Sequence, residues 1–230
     1  MLDDDGIRHL IRTLRLRDGA RVRAVERNSG QCFETRLTVG QGPAYLQVEE
    51  RVSATEPDSP VASVIFAITK GSHPDEAVEK ATELGVSKIT IIESDHSVVR
   101  IEPEKLAAKK SRFEKIAEAA SKQSKRNRIP KISLHHSVDD LLEDAAYWAD
   151  PAELSLCCSL AKDTTHIAKN VEPGKRFHLW IGPEGDWSAR ELSLFREKGF
   201  RLVTLGPLTL RSETAAMAAV AMVNALAAEQ

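Results

Sequence analysis

Two glycine-containing segments near the end of the chain are the residues best suited to hold a ligand. They read IGPEG at residues 181–185 and LGPLTLRSETA at residues 205–215. Glycine lets a backbone approach a ligand closely and adopts φ values that other residues avoid. Backbone N–H and C=O groups of such loops can hold an adenine ring and a charged tail, with leucines packed against the ring. The alternative is that both segments are ordinary turns between a strand and a helix.

Two better-known phosphate-binding patterns do not occur at the expected places. No G-x-G-x-x-G follows the first strand predicted after residue 60, and the sequence contains no G-x-x-x-x-G-K-[ST], which argues against dinucleotide and P-loop chemistry. The cysteines, Cys32, Cys157 and Cys158, form no C-x-x-C and have no histidine pair at zinc-ligand spacing. We therefore predict no disulfide and no metal site, and expect three buried or half-buried thiols.

The elements that would position the two loops alternate between strand and helix. The run 61–68 is continuously apolar, as in a strand covered on both faces. A helix is predicted to begin near Pro74 and end before Gly85, and a long helix to span 103–125. Ser137 and Ser188 each precede an acidic residue at S-x-x-[DE] spacing, which marks two more helix starts. Further short strands are predicted at 89–92, 154–160, 177–181 and 202–205.

This order favours an α/β fold with a parallel sheet and helices on both faces. Ligands of such sheets bind outside the carboxyl ends of the strands. Both glycine segments follow a predicted strand at that edge, so the sequence predicts a pocket there. The last helix, 213–227, consists mainly of Ala, Met, Val and Leu and is expected to be largely buried.

The first fifty residues follow a different pattern. After a short helical start, apolar and polar residues alternate around Asn28-Ser29-Gly30, and a third strand is predicted over 45–52. These are the parts of a small barrel or curled sheet. Residues 53–60, SATEPDSP, are typical of an exposed linker, so we expect two domains, 1–55 and 61–230.

The overall composition is that of a soluble globular protein, with 42% hydrophobic and 29% charged residues. No apolar run approaches the roughly 20 residues of a membrane span, and the acidic start is unlike a signal peptide, which predicts a cytoplasmic protein. The net charge of −2 gives no global attraction to nucleic acid. Any RNA contact must therefore be local.

Four segments together resemble the ribosomal RNA small subunit methyltransferase E family. They are KATELGVSKI at 80–89, KIAEAASKQSKRNRIPKI at 115–132, IGPEG, and the LG, LR and ETA of the last segment, in the family's order. The resemblance covers most of residues 7–226. It implies a PUA-like RNA-binding β-barrel joined to a SPOUT methyltransferase domain, whose trefoil knot binds S-adenosylmethionine. It also implies a homodimer that methylates N3 of a uridine in small-subunit (16S) ribosomal RNA.

The resemblance assigns the pocket by position. Arg211 and Glu213 would lie at its mouth, beside Thr214. The implied cofactor-binding residues are Ile181, Gly182, Pro183, Glu184, Gly185, Leu205, Gly206, Leu208, Leu210 and Thr214.

The implied reaction requires help at the uridine, because N3 is a poor nucleophile until its proton leaves. Arg211, which is always charged, is the first candidate to stabilise the developing anion near O2 or O4. The alternative is that Arg211 forms a salt bridge with Glu213 or Glu184 and only braces the fold. Either glutamate would accept the N3 proton if burial favoured its protonated form.

Basic residues are concentrated in one segment, 105–131, with ten positive side chains against two negative. Such a segment is either a solvated helix face or an RNA footprint. With the resemblance, Gln123, Arg126, Asn127 and Arg128 become candidate RNA contacts. Three further candidates are Lys70, and Arg15 and Arg17 in the stretch LRLRDG. His73 beside Lys70 would either cap a helix or touch RNA, and His135 and His136 are expected in a loop.

The sequence also departs from the family. Asp186 and Trp187 follow IGPEG where a second glycine is usual, which is expected to narrow the pocket or alter the turn. Lys122 stands in place of a usual glutamate, and the loop 70–75 lacks the usual basic and methionine residues. A strand that usually precedes the segment matching 7–16 is missing. Either the RNA-binding barrel is one strand short, or the natural start lies upstream of Met1.

Three hypotheses follow. The first is the uridine N3 methyltransferase, and the second is a related SPOUT enzyme that acts on transfer RNA or another ribosomal site. The third is an RNA-binding homologue that has lost catalysis.

Overall fold

The structure, a computed structural model, describes residues 4–26, 29–52, 59–144, 148 and 153–228. The chain forms two compact units, Met1–Pro57 and Asp58–Gln230. Most of the predicted linker, 53–60, lies outside the described residues. No helix in the described part is long and apolar enough to cross a membrane.

The amino-terminal unit contains a three-stranded antiparallel sheet. Helix α1 (Asp4–Arg8) continues into a π-helical turn (His9–Thr13), and β1 (Arg21–Val25), β2 (Cys32–Thr38) and β3 (Tyr45–Val52) follow, with β2 in the middle. The predicted strands are therefore present. Among the described residues they form an open sheet, so the barrel stays a prediction.

A β-bulge changes which residues of β2 are buried. Strict alternation would place Phe33, Thr35 and Leu37 on one face. The register shifts between Glu34 and Thr35, and Cys32, rather than Phe33, is buried together with Thr35 and Leu37. An extra residue at a bulge reverses the side of every residue before it, which the sequence pattern alone does not reveal.

The carboxy-terminal unit is an α/β domain with a seven-stranded sheet. Its strand order is β6-β5-β4-β9-β7-β10-β8, and every pair is parallel. This confirms the predicted fold class. The elements in chain order are β4 (Val61–Ala67), α2 (His73–Glu83), β5 (Lys88–Ile92), α3 (Pro103–Gln123), β6 (Lys131–His135), α4 (Val138–Glu143), β7 (Glu153–Cys158), β8 (Thr165–His166), β9 (Arg176–Ile181), α5 (Ala189–Glu197), β10 (Arg201–Thr204) and α6 (Ser212–Ala228).

Helices cover both faces of the sheet. Every residue of β4 is buried, and its side chains alternate between two cores. Val64 and Phe66 belong to the core under α2, α3 and α6, whereas Ile65 belongs to the core under α4 and α5, which contains Trp180 and Phe195. The continuous apolar run at 61–68 is thus explained by burial on both sides.

Helix α6 is buried on one face only. Ala216, Val220 and Val223 pack into the core, but Ala221 and Ala225 are exposed. The expectation of a largely buried helix was therefore wrong for the outer face. The helix contains few polar residues on either face, so composition could not distinguish the two.

Strand β6 was not predicted, and it changes the placement of one histidine. His135 is the last residue of this edge strand rather than part of a loop, and His136 follows it. The sequence of this strand, KISLH, has only two apolar residues, Ile132 and Leu134, each between polar ones. It was missed because it lacks the continuous apolar run of the central strands.

Candidate functional site

A cleft opens at the carboxyl ends of three adjacent strands, β7, β9 and β10. The space between its walls, including volume that is open to solvent, is about 550 Å³. The lining residues come from the strand ends, the segments that follow them and the first turn of α6. They are Cys158, Ser159, Leu160, Ile181, Gly182, Pro183, Glu184, Asp186, Val203, Thr204, Leu205, Leu208, Thr209, Leu210, Ser212 and Ala215.

Most of the predicted cofactor-binding residues meet in this cleft. Gly185, Gly206 and Thr214 are not among its lining residues. The predicted residues that do line it are Ile181, Gly182, Pro183, Glu184, Leu205, Leu208 and Leu210.

The prediction missed the contribution of β7. Ser159 and Leu160 enter the cleft because β7 lies between β9 and β10 in the sheet. The run 154–160 was predicted as a strand, and the rule that ligands bind at carboxyl strand ends would have pointed to these residues. The strand order, however, is not visible in the sequence.

Gly182 is needed for close packing with Trp187. A Cβ atom at position 182 would lie 3.2 Å from Nε1 of Trp187. The indole is buried, and its Nε1 donates a hydrogen bond of 3.0 Å to the carbonyl oxygen of Cys158. Trp187 therefore connects the loop after β9 to the end of β7, and a side chain at position 182 would disturb that contact.

Asp186 makes a second connection between the same two strand ends. Its φ of 58° lies in the left-handed region, which Asp tolerates better than most residues but less well than glycine. Its Oδ2 accepts hydrogen bonds of 2.9 Å from Ser159 Oγ and 2.9 Å from Leu160 N. The side chain thus does occupy the wall of the cleft, and the left-handed backbone matches the glycine usual at this position.

His96, in the segment after β5, holds the same loop from outside the cleft. Its Nδ1 lies 3.0 Å from the carbonyl oxygen of Asp186 and 3.1 Å from that of Gly185. Because a carbonyl oxygen only accepts, Nδ1 must carry the proton. These hydrogen bonds, the one to Asp186 first, raise the pKa of His96 above its ordinary value.

The loop is also attached to α5 through a buried carboxylate. Glu191 accepts hydrogen bonds from the backbone N–H groups of Ser188 (2.8 Å) and Asp95 (2.9 Å). Ser188 caps the helix and forms the capping box predicted for it. The segments after β5 and β9 are therefore held together.

The two candidate catalytic residues at the start of α6 have different surroundings. Arg211 is exposed and has no ion-pair partner among the described residues, so the alternative of a brace to Glu213 or Glu184 is not what the structure contains. Glu213 is buried, and its Oε1 lies 3.2 Å from Nδ1 of His73, without the alignment of a hydrogen bond. Glu184 lines the cleft but is exposed.

The candidate RNA contacts do not converge on the cleft. Lys70 is exposed and follows β4, at the same sheet edge as the cleft. Gln123, Arg126, Asn127 and Arg128 instead precede β6, at the opposite edge. Arg15 and Arg17 are exposed in the amino-terminal unit.

Arg126 has a structural role at that opposite edge. Its guanidinium donates to the carbonyl oxygens of Thr82 (2.8 Å), Val86 (2.9 Å) and Gly85 (3.2 Å). These are carbonyls at and after the end of α2, which a helix leaves without internal partners. Ion pairs also reduce the free charge of α3, because Lys122 pairs with Glu118 and Arg112 with Asp75.

A Ser–His–Glu chain lies elsewhere in the sheet. Nδ1 of His178 is 2.6 Å from Ser63 Oγ, and its Nε2 is 2.8 Å from Oε2 of Glu153. Ser63 is fully buried. A substrate cannot reach this hydroxyl, so the chain satisfies buried polar groups and is not a nucleophilic site.

The three cysteines are free, and their side chains are buried, which agrees with the prediction of buried or half-buried thiols. Burial raises the pKa of Cys158, a lining residue, to about 12, and the nearby charge of Asp186 contributes. Within the described residues, no group of three or more His, Cys, Asp or Glu side chains is placed to hold a metal ion.

The fold and site define an α/β domain with a cleft at the carboxyl ends of its parallel strands. A profile of the RNA methyltransferase domain family matches residues 57–224, and the chain belongs to this family.

Individual relatives agree with the family assignment. A ribosomal RNA small subunit methyltransferase E from Mesomycoplasma hyopneumoniae is 34% identical over 185 residues, which cover 80% of this chain and 78% of the relative. A ribosomal RNA small subunit methyltransferase E 2 from Borreliella burgdorferi is 28% identical over 222 residues, or 95% and 87% of the two chains. The crystal structure of a ribosomal RNA small subunit methyltransferase E from Neisseria gonorrhoeae, bound to S-adenosyl methionine, superposes with a TM-score of 0.84 at 27% identity and covers 98% of this chain and 90% of that one.

Proposed function

We propose that this protein binds S-adenosylmethionine in the cleft and methylates ribosomal RNA of the small subunit at N3 of a uridine. The observation that carries the proposal is the convergence of segments 181–186 and 205–210 into one cleft, in a member of the RNA methyltransferase domain family. Relatives named as small-subunit ribosomal RNA methyltransferases, one of them solved with S-adenosyl methionine bound, support methylation of this RNA; the uridine N3 position rests on the sequence resemblance.

The lining residues fit the cofactor. Leu160, Leu205 and Leu208 offer apolar contacts for an adenine ring, and Gly182 and Pro183 bring loop backbone to the wall of the cleft. When bound, S-adenosylmethionine supplies an electrophilic methyl group on a positively charged sulfur. The cleft residues then have to orient the ligand and exclude water.

Arg211 is proposed to stabilise the uridine as N3 loses its proton. An exposed guanidinium without an ion-pair partner in the described part of the chain can approach O2 or O4 of the base. Holding the two reactants in line would supply much of the remaining acceleration.

Of the two candidate bases, Glu184 lines the cleft, whereas Glu213 lies beside His73 and is not among the lining residues. Glu184 is exposed, whereas Glu213 is buried. Its neighbour His73 offers a second group that can take or return a proton. We therefore propose Glu213, assisted by His73, as the route for the N3 proton.

RNA binding is proposed to use both units. The amino-terminal unit, residues 1–55, would act as a PUA-like module through Arg15 and Arg17, and Lys70 would contact RNA near the cleft. We further propose that residues 61–230 form a knotted SPOUT domain that dimerises through the exposed Ala221 and Ala225 face of α6. Such an enzyme would act in the cytoplasm, where ribosomes are assembled.

Methyl transfer from labelled S-adenosylmethionine to small subunits and to their naked RNA tests the proposal. Mass mapping of the modified nucleoside is expected to identify 3-methyluridine. A label on transfer RNA or another ribosomal site would favour the second enzyme hypothesis. Cofactor binding without transfer to any RNA would favour the inactive RNA-binding homologue.

A further inference from the structure

The cleft is acidic. Glu184 and Asp186 are among its lining residues, which include no Lys, Arg or His from the part of the chain that the structure describes. A wall with this charge favours a cationic ligand over a neutral one of the same shape.

Asp186 is the acid that the structure holds in place. Its Oδ2 accepts from Ser159 Oγ and Leu160 N, which both belong to lining residues, and its backbone is fixed in the left-handed region. Its Oδ1 has no hydrogen-bond donor in the described part of the chain. Glu184, by contrast, is exposed, where water screens its charge.

The negative charge of Asp186 also affects a neighbouring residue of the cleft wall. It contributes, after burial, to the raised pKa of Cys158, which lines the cleft. No cation is among the described lining residues; Arg211 lies between the lining residues Leu210 and Ser212 but does not itself line the cleft. His96 binds the backbone oxygen of Asp186 from outside, Glu191 adds a further negative charge, and Arg190 is paired with Asp95 and Asp139.

We propose that Asp186 is a specificity-determining residue, which makes the cleft prefer the sulfonium of S-adenosylmethionine to the neutral thioether of the product, S-adenosylhomocysteine. This inference rests on the proposed function. Methyl transfer leaves the electron pair of the broken carbon–sulfur bond on sulfur, so the positive charge disappears while the rest of the ligand is unchanged. The attraction to Asp186 disappears with it, and product release becomes easier.

Calorimetry on the full chain with three ligands tests the proposal. They are S-adenosylmethionine, S-adenosylhomocysteine and sinefungin, in which a protonated amine replaces the sulfonium. Asp186→Asn keeps an oxygen that can accept from Ser159 and Leu160, tolerates the left-handed backbone and removes the charge. We expect this variant to lose about five- to ten-fold in affinity for the two cationic ligands and to bind the product almost as before.

The outcomes separate the possible failures. Equal weakening of all three ligands would mean that Asp186 only shapes the loop, and would overturn the inference. If Glu184→Gln changed the ratio of affinities for S-adenosylmethionine and S-adenosylhomocysteine as much as Asp186→Asn does, the assignment to Asp186 would be overturned. If the wild-type protein bound none of the ligands, the proposed function itself would fail. Thermal unfolding of each variant checks that it is folded.

Discussion

Arg211 and Glu213 are separated by one residue, but one is exposed to solvent and the other is buried against His73. This difference arises where α6 begins, because the carbonyl oxygen of Arg211 accepts the hydrogen bond of Ala215 N at 2.8 Å and the side chains leave the first turn in different directions. A role in charge stabilisation suits the first residue, and a role in proton transfer suits the second.

Replacement of Arg211 separates catalysis from binding. We expect Arg211→Ala to lower kcat by about 10²-fold, because a group that stabilises developing charge acts mainly in the transition state, and to leave the cofactor Kd within two-fold, roughly. Single-turnover methyl transfer and calorimetry measure the two quantities. Arg211→Lys, which keeps the charge, should recover part of the rate. A normal rate in a folded Arg211→Ala protein would remove the catalytic assignment.

His96 is expected to hold the cofactor loop through its Nδ1 proton. His96→Leu removes the donor and should weaken cofactor binding, whereas His96→Asn, whose amide nitrogen can take the place of Nδ1, should retain most of it. Since the pKa of His96 is raised in the folded protein, its contribution to stability is complete below the ordinary histidine pKa. It is lost as pH rises through the raised value.

The pH dependence of unfolding tests whether the protonated His96 ring stabilises the fold. Unfolding of wild type and His96→Leu should differ most at pH values below about 6.5 and converge at higher pH. A difference that did not change with pH would contradict the role of the protonated ring. No sequence pattern indicated His96, because the sheet brings it to residues about ninety positions away.

At the scale of elements, helix α5 begins where the sequence predicted. Its first turn also holds the loop that forms one wall of the cleft. Ser188 and Glu191 form both hydrogen bonds of a capping box, and Glu191 further binds the segment after β5. Local spacing sufficed to predict the helix start, but the contact with Asp95 depends on strand order.

Loss of this cap should destabilise the protein. Ser188→Ala is expected to lower the free energy of unfolding by about 1 kcal/mol, as is typical for a helix cap. Chemical denaturation measures the change. Ser193→Ala, at an exposed position of the same helix, is the control and should be neutral or slightly stabilising. Equal effects of the two substitutions would contradict the structural role of the cap.

Gly182, in the loop after β9, is expected to matter more for cofactor binding than for stability. Gly182→Ala places a methyl group against the indole of Trp187, and the buried tryptophan must then shift at the end of β7. We expect at least about ten-fold weaker cofactor binding in calorimetry. Gly40→Ala, whose added Cβ meets no atom within 4 Å, is the control and should bind normally. Normal binding by Gly182→Ala would show that the close approach has no functional role.

For the whole molecule, two of the predicted sites lie at opposite ends of the parallel strands. The cleft lies at the carboxyl edge, and the segment around Arg126 lies at the amino edge. The sequence predicted the α/β class and the sheet edge at which the cleft opens. Strand order, the bulge in β2 and the single buried face of α6 depend on long-range packing that no local pattern encodes.

Arg126 tests this separation. Because its guanidinium satisfies carbonyl groups after α2, Arg126→Ala should lower the free energy of unfolding by about 1–3 kcal/mol. Lys115→Ala, at an exposed position of α3, should change stability little. Urea unfolding compares them. If Arg126→Ala were as stable as Lys115→Ala and only RNA binding fell, the residue would be an RNA contact rather than a structural one.

The most direct test of the central claim is a crystal structure of the full chain with S-adenosylmethionine. We predict the ligand between the loop 182–186 and the segment 205–210, with its sulfonium on the side of the wall formed by Asp186. Electron density for the cofactor at another place, or no cofactor in crystals grown at saturating concentration, would contradict the account.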